Sequence, residues 1–140
     1  AGKSVLDVGC HYGYFLLQAQ KDGASFCYGL EKKEGWALKA QEFADHLGYS
    51  KEVIACGDIL KHDIMVQFDF TLCLNLLHHM RNIEMVNFVL NKLDEATKRM
   101  MVFVVLPPPD GSKYGHFKTE RGSVKMFLSF VKSHFVYFCH

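Results

Sequence analysis

Residues 5–15 read VLDVGCHYGYF. An apolar run closes on a carboxylate, Asp7, then Gly9 and Gly13 follow four apart, and a second apolar stretch begins. A strand that passes through glycines into a helix is the form of a ligand-binding turn. Two common ligands do not suit it. A phosphate loop needs Gly-x-x-x-x-Gly-Lys-Ser/Thr and a dinucleotide turn needs Gly-x-Gly-x-x-Gly, whereas Cys10, His11 and Tyr12 stand between these glycines. Asp7 would also oppose a pyrophosphate seated over the turn.

Outward from this stretch, short apolar runs alternate with helical patterns. Strands are expected at 3–8, 25–30, 52–57, 68–74, 100–106 and 134–139, and helices near 12–22, 35–47, 83–98 and 120–133. Met85, Phe88, Val89 and Leu93, and later Val124, Phe127, Leu128 and Val131, recur at the spacing of one helix face. Phe15 and Leu16 are expected in the core under the first helix. Such alternation predicts an α/β fold: a doubly wound, mainly parallel sheet covered on both faces. The stretch 107–115, PPPDGSKYG, reads as a long surface loop, so residues 1–140 are expected to form a single domain.

At 140 residues, 49% hydrophobic and 22% charged, the chain has the composition of a globular domain rather than a disordered one. No apolar run approaches the ~20 residues of a membrane-spanning helix, so membrane insertion is not expected. The chain opens Ala-Gly rather than Met, which leaves an upstream segment open. Five cysteines are odd in number and lack CxxC spacing; those at 27, 56 and 73 lie in apolar runs and are expected to be small buried hydrophobes. A reducing, cytoplasmic setting fits them best. No metal site is expected, since only the adjacent pair His78 and His79 approaches ligand spacing. The net charge of +1 conceals a division: nine Lys/Arg face thirteen Asp/Glu in residues 1–95, and seven face two in 96–140. That division fits either a solvated basic surface or an acidic partner near the C-terminal third.

In a doubly wound sheet the ligand crevice lies beyond the carboxyl ends of the strands. Three of those ends carry acid: Asp7, Glu31 and Asp58. S-adenosylmethionine answers the combination, because it has no phosphate and carries a sulfonium and an ammonium that a carboxylate attracts. The glycines let the backbone pass close to it. Glu31 offers two acceptor oxygens to the ribose hydroxyls. Gly57-Asp58-Ile59 offers a carboxylate to the adenine amine and an apolar side chain to the ring. Taken singly, Glu31 also reads as an exposed glutamate and Asp58 as a turn former or helix cap.

With these residues in place, the chain resembles the class I, Rossmann-like S-adenosylmethionine-dependent methyltransferases. VLDVGCHYG is similar to their first motif, Asp-x-Gly-x-Gly-x-Gly, with Asp7, Gly9 and Gly13 matched and His11 in place of the middle glycine. GLE resembles the ribose motif, GDI the adenine motif, and FDFTLCLNLLHH the fourth motif, whose Asn75 and following loop face the methyl group. The resemblance implies an enzyme of the EC 2.1.1 type with S-adenosyl-L-methionine as cofactor. Asp7, Gly9, Cys10, His11, Tyr12, Gly13, Glu31, Asp58, Ile59 and Asn75 are its expected binding residues. The family's lid helix before the first strand and its seventh, antiparallel strand have no counterpart here. Either the sequence is a fragment of a longer chain or it is a minimal version, in which case the sixth strand is expected to pair directly with the fifth.

Methyl transfer is an in-line displacement that asks mainly for alignment and exclusion of water. A base is needed where the nucleophile arrives protonated. Asn75, His78 and His79 are the catalytic candidates, His78 first, since it follows Asn75 by three residues and shares a helical face with it. The two histidines are expected to point about 100° apart, so that only one faces the acceptor. The other reading of LLHHM is a helix start whose histidines merely pack or cap. The Asn/Asp-Pro-Pro-aromatic pattern of base and glutamine methylators is absent, as is the Pro-Cys pair of cytosine C5 chemistry. Nor is there a strong basic stripe. By elimination the acceptor is an O or N nucleophile of a small molecule, saccharide or lipid. An RNA-directed enzyme, and a non-catalytic domain serving assembly in a larger protein, remain the alternatives.

Overall fold

The computed structural model describes residues 1–50, 53–74, 76–104 and 135–139. The chain runs β1 (Ser4–Val8), α1 (Tyr14–Lys21), β2 (Phe26–Glu31), α2 (Glu34–His46), β3 (Ile54–Cys56) and β4 (Phe68–Cys73). A 3-10 turn (Leu77–His79), α3 (Ile83–Glu95), β5 (Thr97–Val104) and β6 (Phe135–Cys139) follow. The six strands lie in one sheet in the order β3-β2-β1-β4-β5-β6. All neighbours are parallel except β5 and β6, which pair directly and antiparallel. The sheet is therefore doubly wound and mainly parallel. Strand order reverses at β1, which β2 and β4 flank, so the crevice of such a sheet opens at the carboxyl ends of β1 and β4.

Two apolar layers hold the helices on opposite faces. On one, Leu16 of α1 and Ala40 and Ala44 of α2 pack with Val5, Cys27 and Ile54. The small α2 alanines let that helix approach the sheet closely. On the other, Val86, Val89, Leu90 and Leu93 of α3 pack with Leu6, Val8, Leu30, Phe68, Met101 and Phe103. A register shift between Phe68 and Phe70 lets Phe68 and Cys73 enter the same layer although they stand five positions apart, which in a regular strand would place them on opposite faces.

Several expectations are corrected here. The buried stripe of α3 is 86-89-90-93, so Phe88 lies outside and half exposed, with the Lys92 ammonium 5.5 Å from its ring centroid. Leu16 is fully buried, but Phe15, one residue away on an eight-residue helix, faces solvent. Cys27 and Cys73 are buried, yet Cys56 ends the edge strand β3 and is exposed. Helix α3 stops at Glu95 and not near 98, because Thr97 begins β5 and its hydroxyl donates to the Leu93 carbonyl at 2.6 Å. The helix expected at 120–133 lies outside the described residues.

Gly29, in the middle of β2, sets how closely α1 and the glycine turn approach the sheet. A Cβ there would stand 2.4 Å from Leu16 Cδ1 and 2.9 Å from Cys10 Sγ. Gly29→Ala is expected to destabilise the protein by about 1–3 kcal/mol, the usual range for overpacking a filled core. Urea unfolding measures it, and an unchanged midpoint would show that Leu16 and Cys10 yield without cost.

Candidate functional site

The turn after β1 is built on three left-handed residues. Gly9 has φ +74°, His11 φ +52° and Gly13 φ +75°. Glycine adopts this region freely, and Gly13 lacks room as well, since a Cβ there would stand 3.2 Å from Ile54 Cδ1. His11 is the exception: a side chain in this region costs roughly 1–2 kcal/mol. His11 takes this conformation at the place where the motif that the sequence resembles has its middle glycine. Gly9 N donates to the Leu30 carbonyl at 2.7 Å, and Gly13 N donates to Cys10 O at 2.8 Å, closing the turn against β2.

Two carboxylates meet beneath the turn. Asp7 is 2% exposed and Glu31 5% exposed. Burial, reinforced by the charge of Glu31, raises the Asp7 pKa to about 7. The same surroundings push the buried Cys10 thiol above its ordinary range, with burial the main cause and Asp7 and Glu31 adding to it. Cys10 is therefore a neutral packing group. Glu31 is held from both sides: Oε2 accepts from the backbone N of His11 at 2.9 Å, and Oε1 accepts from the backbone N of Lys33 at 2.8 Å. Each carboxylate oxygen has a further acceptor direction, so both remain able to receive a hydroxyl.

Asp58 follows Gly57 at the end of β3. Its Oδ1 accepts from Leu60 N at 3.1 Å and its Oδ2 lies 2.9 Å from Lys32 Nζ. The Lys32 hydrogen bond holds its carboxyl below the usual carboxylate range. It is thus the turn former that one reading of the sequence allows, and stays charged at the crevice edge. Ile59 is 4% exposed and belongs to the α3 layer of the core. Tyr12 is 42% exposed beside the turn. Asn75 lies outside the described residues.

The 3-10 turn beyond β4 places Leu77 in the core, leaves His79 exposed and half-buries His78. His78 Nδ1 is buried and finds no hydrogen-bond partner among the described residues. Burial, with a smaller contribution from His79, lowers the His78 pKa, which keeps the ring neutral and able to accept a proton. The expected divergence of the two histidines is not seen: their rings are in contact, centroids 3.9 Å apart and tilted by 44°. A 3-10 turn of three residues spreads the Cα–Cβ bonds, and side-chain rotation brings the imidazoles back together.

Two residues of the site carry no signal in the sequence. Trp36, the only tryptophan, stands in the first turn of α2 with its ring centroid 4.0 Å from that of His11. Lys33 places its ammonium 3.8 Å from the same ring. Nothing in the spacing of Glu31, Lys33 and Trp36 announces that contact, because it depends on the path of the turn at His11.

Parallel order reversing at β1, a left-handed glycine turn and buried acid in place of phosphate donors define the class: Rossmann-like methyltransferases. The model of the methyltransferase domain family matches residues 6–100, and the chain belongs to that family, whose methyl donor is S-adenosylmethionine. No curated protein matches the sequence. Among solved structures the fold is similar to magnesium protoporphyrin IX methyltransferase from Synechocystis (TM-score 0.69, 19% identity, 98% of this chain and 68% of that one). It is also similar to an S-adenosylmethionine-dependent methyltransferase from Mesorhizobium loti (TM-score 0.64, 23% identity, 75% and 47%). Coclaurine N-methyltransferase is a third (TM-score 0.61, 23% identity, 73% and 30%). The chain thus spans from under a third to about two-thirds of these proteins.

Proposed function

We propose that this chain binds S-adenosylmethionine over the β1 turn and transfers its methyl group to an O or N nucleophile of a small-molecule, saccharide or lipid-type acceptor. One observation carries the reading: two buried carboxylates, Asp7 on β1 and Glu31 two residues beyond Asp7's partner Gly29 on β2, lie under a left-handed glycine turn at the switch point of the sheet. Holding both as anions is unfavourable unless a cationic ligand joins them. When bound, the cofactor supplies a methyl carbon activated by positive sulfur. Asp7 then offers its charge to the cationic end, Glu31 its free acceptor directions to the ribose, and Asp58 its carboxylate to the adenine amine. Gly9, His11, Tyr12 and Gly13 shape the turn, while Cys10 and Ile59 back it from the core. His78 receives the acceptor's proton as the new bond forms; Asn75 and His79 complete the proposed catalytic set.

Small-molecule acceptors agree with the names of two structural neighbours, a magnesium protoporphyrin IX methyltransferase and a coclaurine N-methyltransferase. Glu31→Ala tests the binding half. It removes the acceptor for ribose and releases the His11 and Lys33 amides, so S-adenosylhomocysteine should bind about tenfold more weakly. Calorimetry with S-adenosylhomocysteine and, separately, with NAD decides it. A preference for NAD, or full affinity in the folded variant, would end this reading; tight binding with no transfer to any acceptor would assign a non-catalytic domain.

A further inference from the structure

Trp36 touches both residues that fix Glu31. The His11 ring lies 4.0 Å from the Trp36 ring, tilted by 49°, and the Lys33 ammonium lies 3.8 Å from it. Those same residues give Glu31 its two hydrogen bonds, His11 N to Oε2 and Lys33 N to Oε1. One indole therefore braces both donors of one carboxylate. The His11 arm needs bracing, because its φ of +52° is a conformation an L side chain leaves when nothing holds it. Tyr12 also contacts the imidazole, centroids 3.9 Å apart, and meets the Trp36 ring at 6.3 Å. Tyr12 in turn meets Phe43 of α2 at 6.3 Å edge to face, so the turn is tied to α2 through both Trp36 and Phe43. The Lys33 arm uses a cation–π contact, which holds the residue immediately before α2.

From this arrangement we infer that Trp36 is a positioning residue for cofactor binding: it locks the left-handed backbone at His11 and the start of α2 at Lys33, and thereby aims the Glu31 carboxylate into the crevice. Glycine reaches a positive φ without strain, while His11 is held there by ring contact. The inference rests on the binding role of Glu31 proposed above, and the two are separable by experiment.

Amide hydrogen exchange of the ligand-free protein reads the brace directly. In Trp36→Ala the His11 and Lys33 amides should exchange about tenfold faster, while amides in the β1–β2 ladder keep their protection. S-adenosylhomocysteine affinity should fall roughly tenfold, within the usual range for groups coupled through a shared partner. Trp36→Phe keeps an aromatic face and should restore most of both. In a His11→Gly background, where the turn no longer needs holding, Trp36→Ala should cost clearly less affinity than in the wild type. An unchanged exchange rate at both amides would overturn the brace. Loosened amides with undiminished affinity would overturn the positioning role, and an equal affinity loss in both backgrounds would mean that Trp36 touches the ligand itself. If the wild-type protein binds no S-adenosylhomocysteine, the cofactor reading fails, and the exchange result still decides whether Trp36 holds Glu31.

Discussion

Asp7→Asn should make the ligand-free protein more stable at pH 8 while weakening its hold on S-adenosylmethionine. Asp7 is buried beside Glu31, and burial first, then that neighbour's charge, raises its pKa from 3.8 to about 7. A carboxyl whose pKa is raised by folding lends stability below its unfolded value and loses it as the pH climbs to the folded value. The window here runs from about pH 4 to about pH 7. The displacement from 3.8 to about 7 corresponds to roughly 4 kcal/mol, lost in full above pH 7. Asparagine keeps the shape and never ionises, so this dependence should vanish in the variant. Urea unfolding of both proteins between pH 5 and pH 8 gives the comparison, in which carboxylates remote from the site cancel. A cationic ligand reverses the sign. It favours ionised Asp7, so wild-type affinity should rise with pH through 7, and the variant should bind at least about tenfold more weakly at pH 8. Stability curves that run parallel in the two proteins would show that Asp7 is not the strained acid of this site.

His78→Ala should lower methyl transfer by about 10²–10⁴, the usual worth of a general base, and leave S-adenosylhomocysteine affinity unaltered. His79→Ala should lower it far less, since that ring is exposed. The pH profile separates a base from a packing residue. Burial and the neighbouring His79 both lower the His78 pKa, so the acidic limb of the rate profile should lie below the ordinary histidine value of about 6.5. Removing His79 takes away the smaller of the two causes, and the limb should then move to higher pH. Equal, small losses in both variants with a flat profile would mean that the site works by alignment alone.

The strands and the acid at their ends could be read from the sequence for a simple physical reason. Parallel strands buried on both faces must be apolar throughout, so runs such as SVLDV and FCYGLE declare themselves, and a lone carboxylate closing each run stands out. Helix faces were less legible. In α3 seven of thirteen residues are apolar and they spread beyond one face, so only contact with the sheet decides that Val86, Val89, Leu90 and Leu93 face inward while Phe88 faces water. Cys56 shows the same dependence, since an apolar run does not say which strand is an edge.

The sequence by itself determined the alternation of strands and helices, the carboxylates Asp7, Glu31 and Asp58, and the glycine turn between the first two, because each depends on residues close together in the chain. The tertiary structure alone decided that Asp7 and Glu31 are both buried on neighbouring strands, close enough for one charge to act on the other, and that Asp58 is already engaged by Lys32. It alone brought Trp36 against His11 and laid the two histidine rings together. Those are relations across strands and turns, fixed by the strand order and by the positive φ at position 11, and no local pattern encodes the distance between side chains that packing brings together.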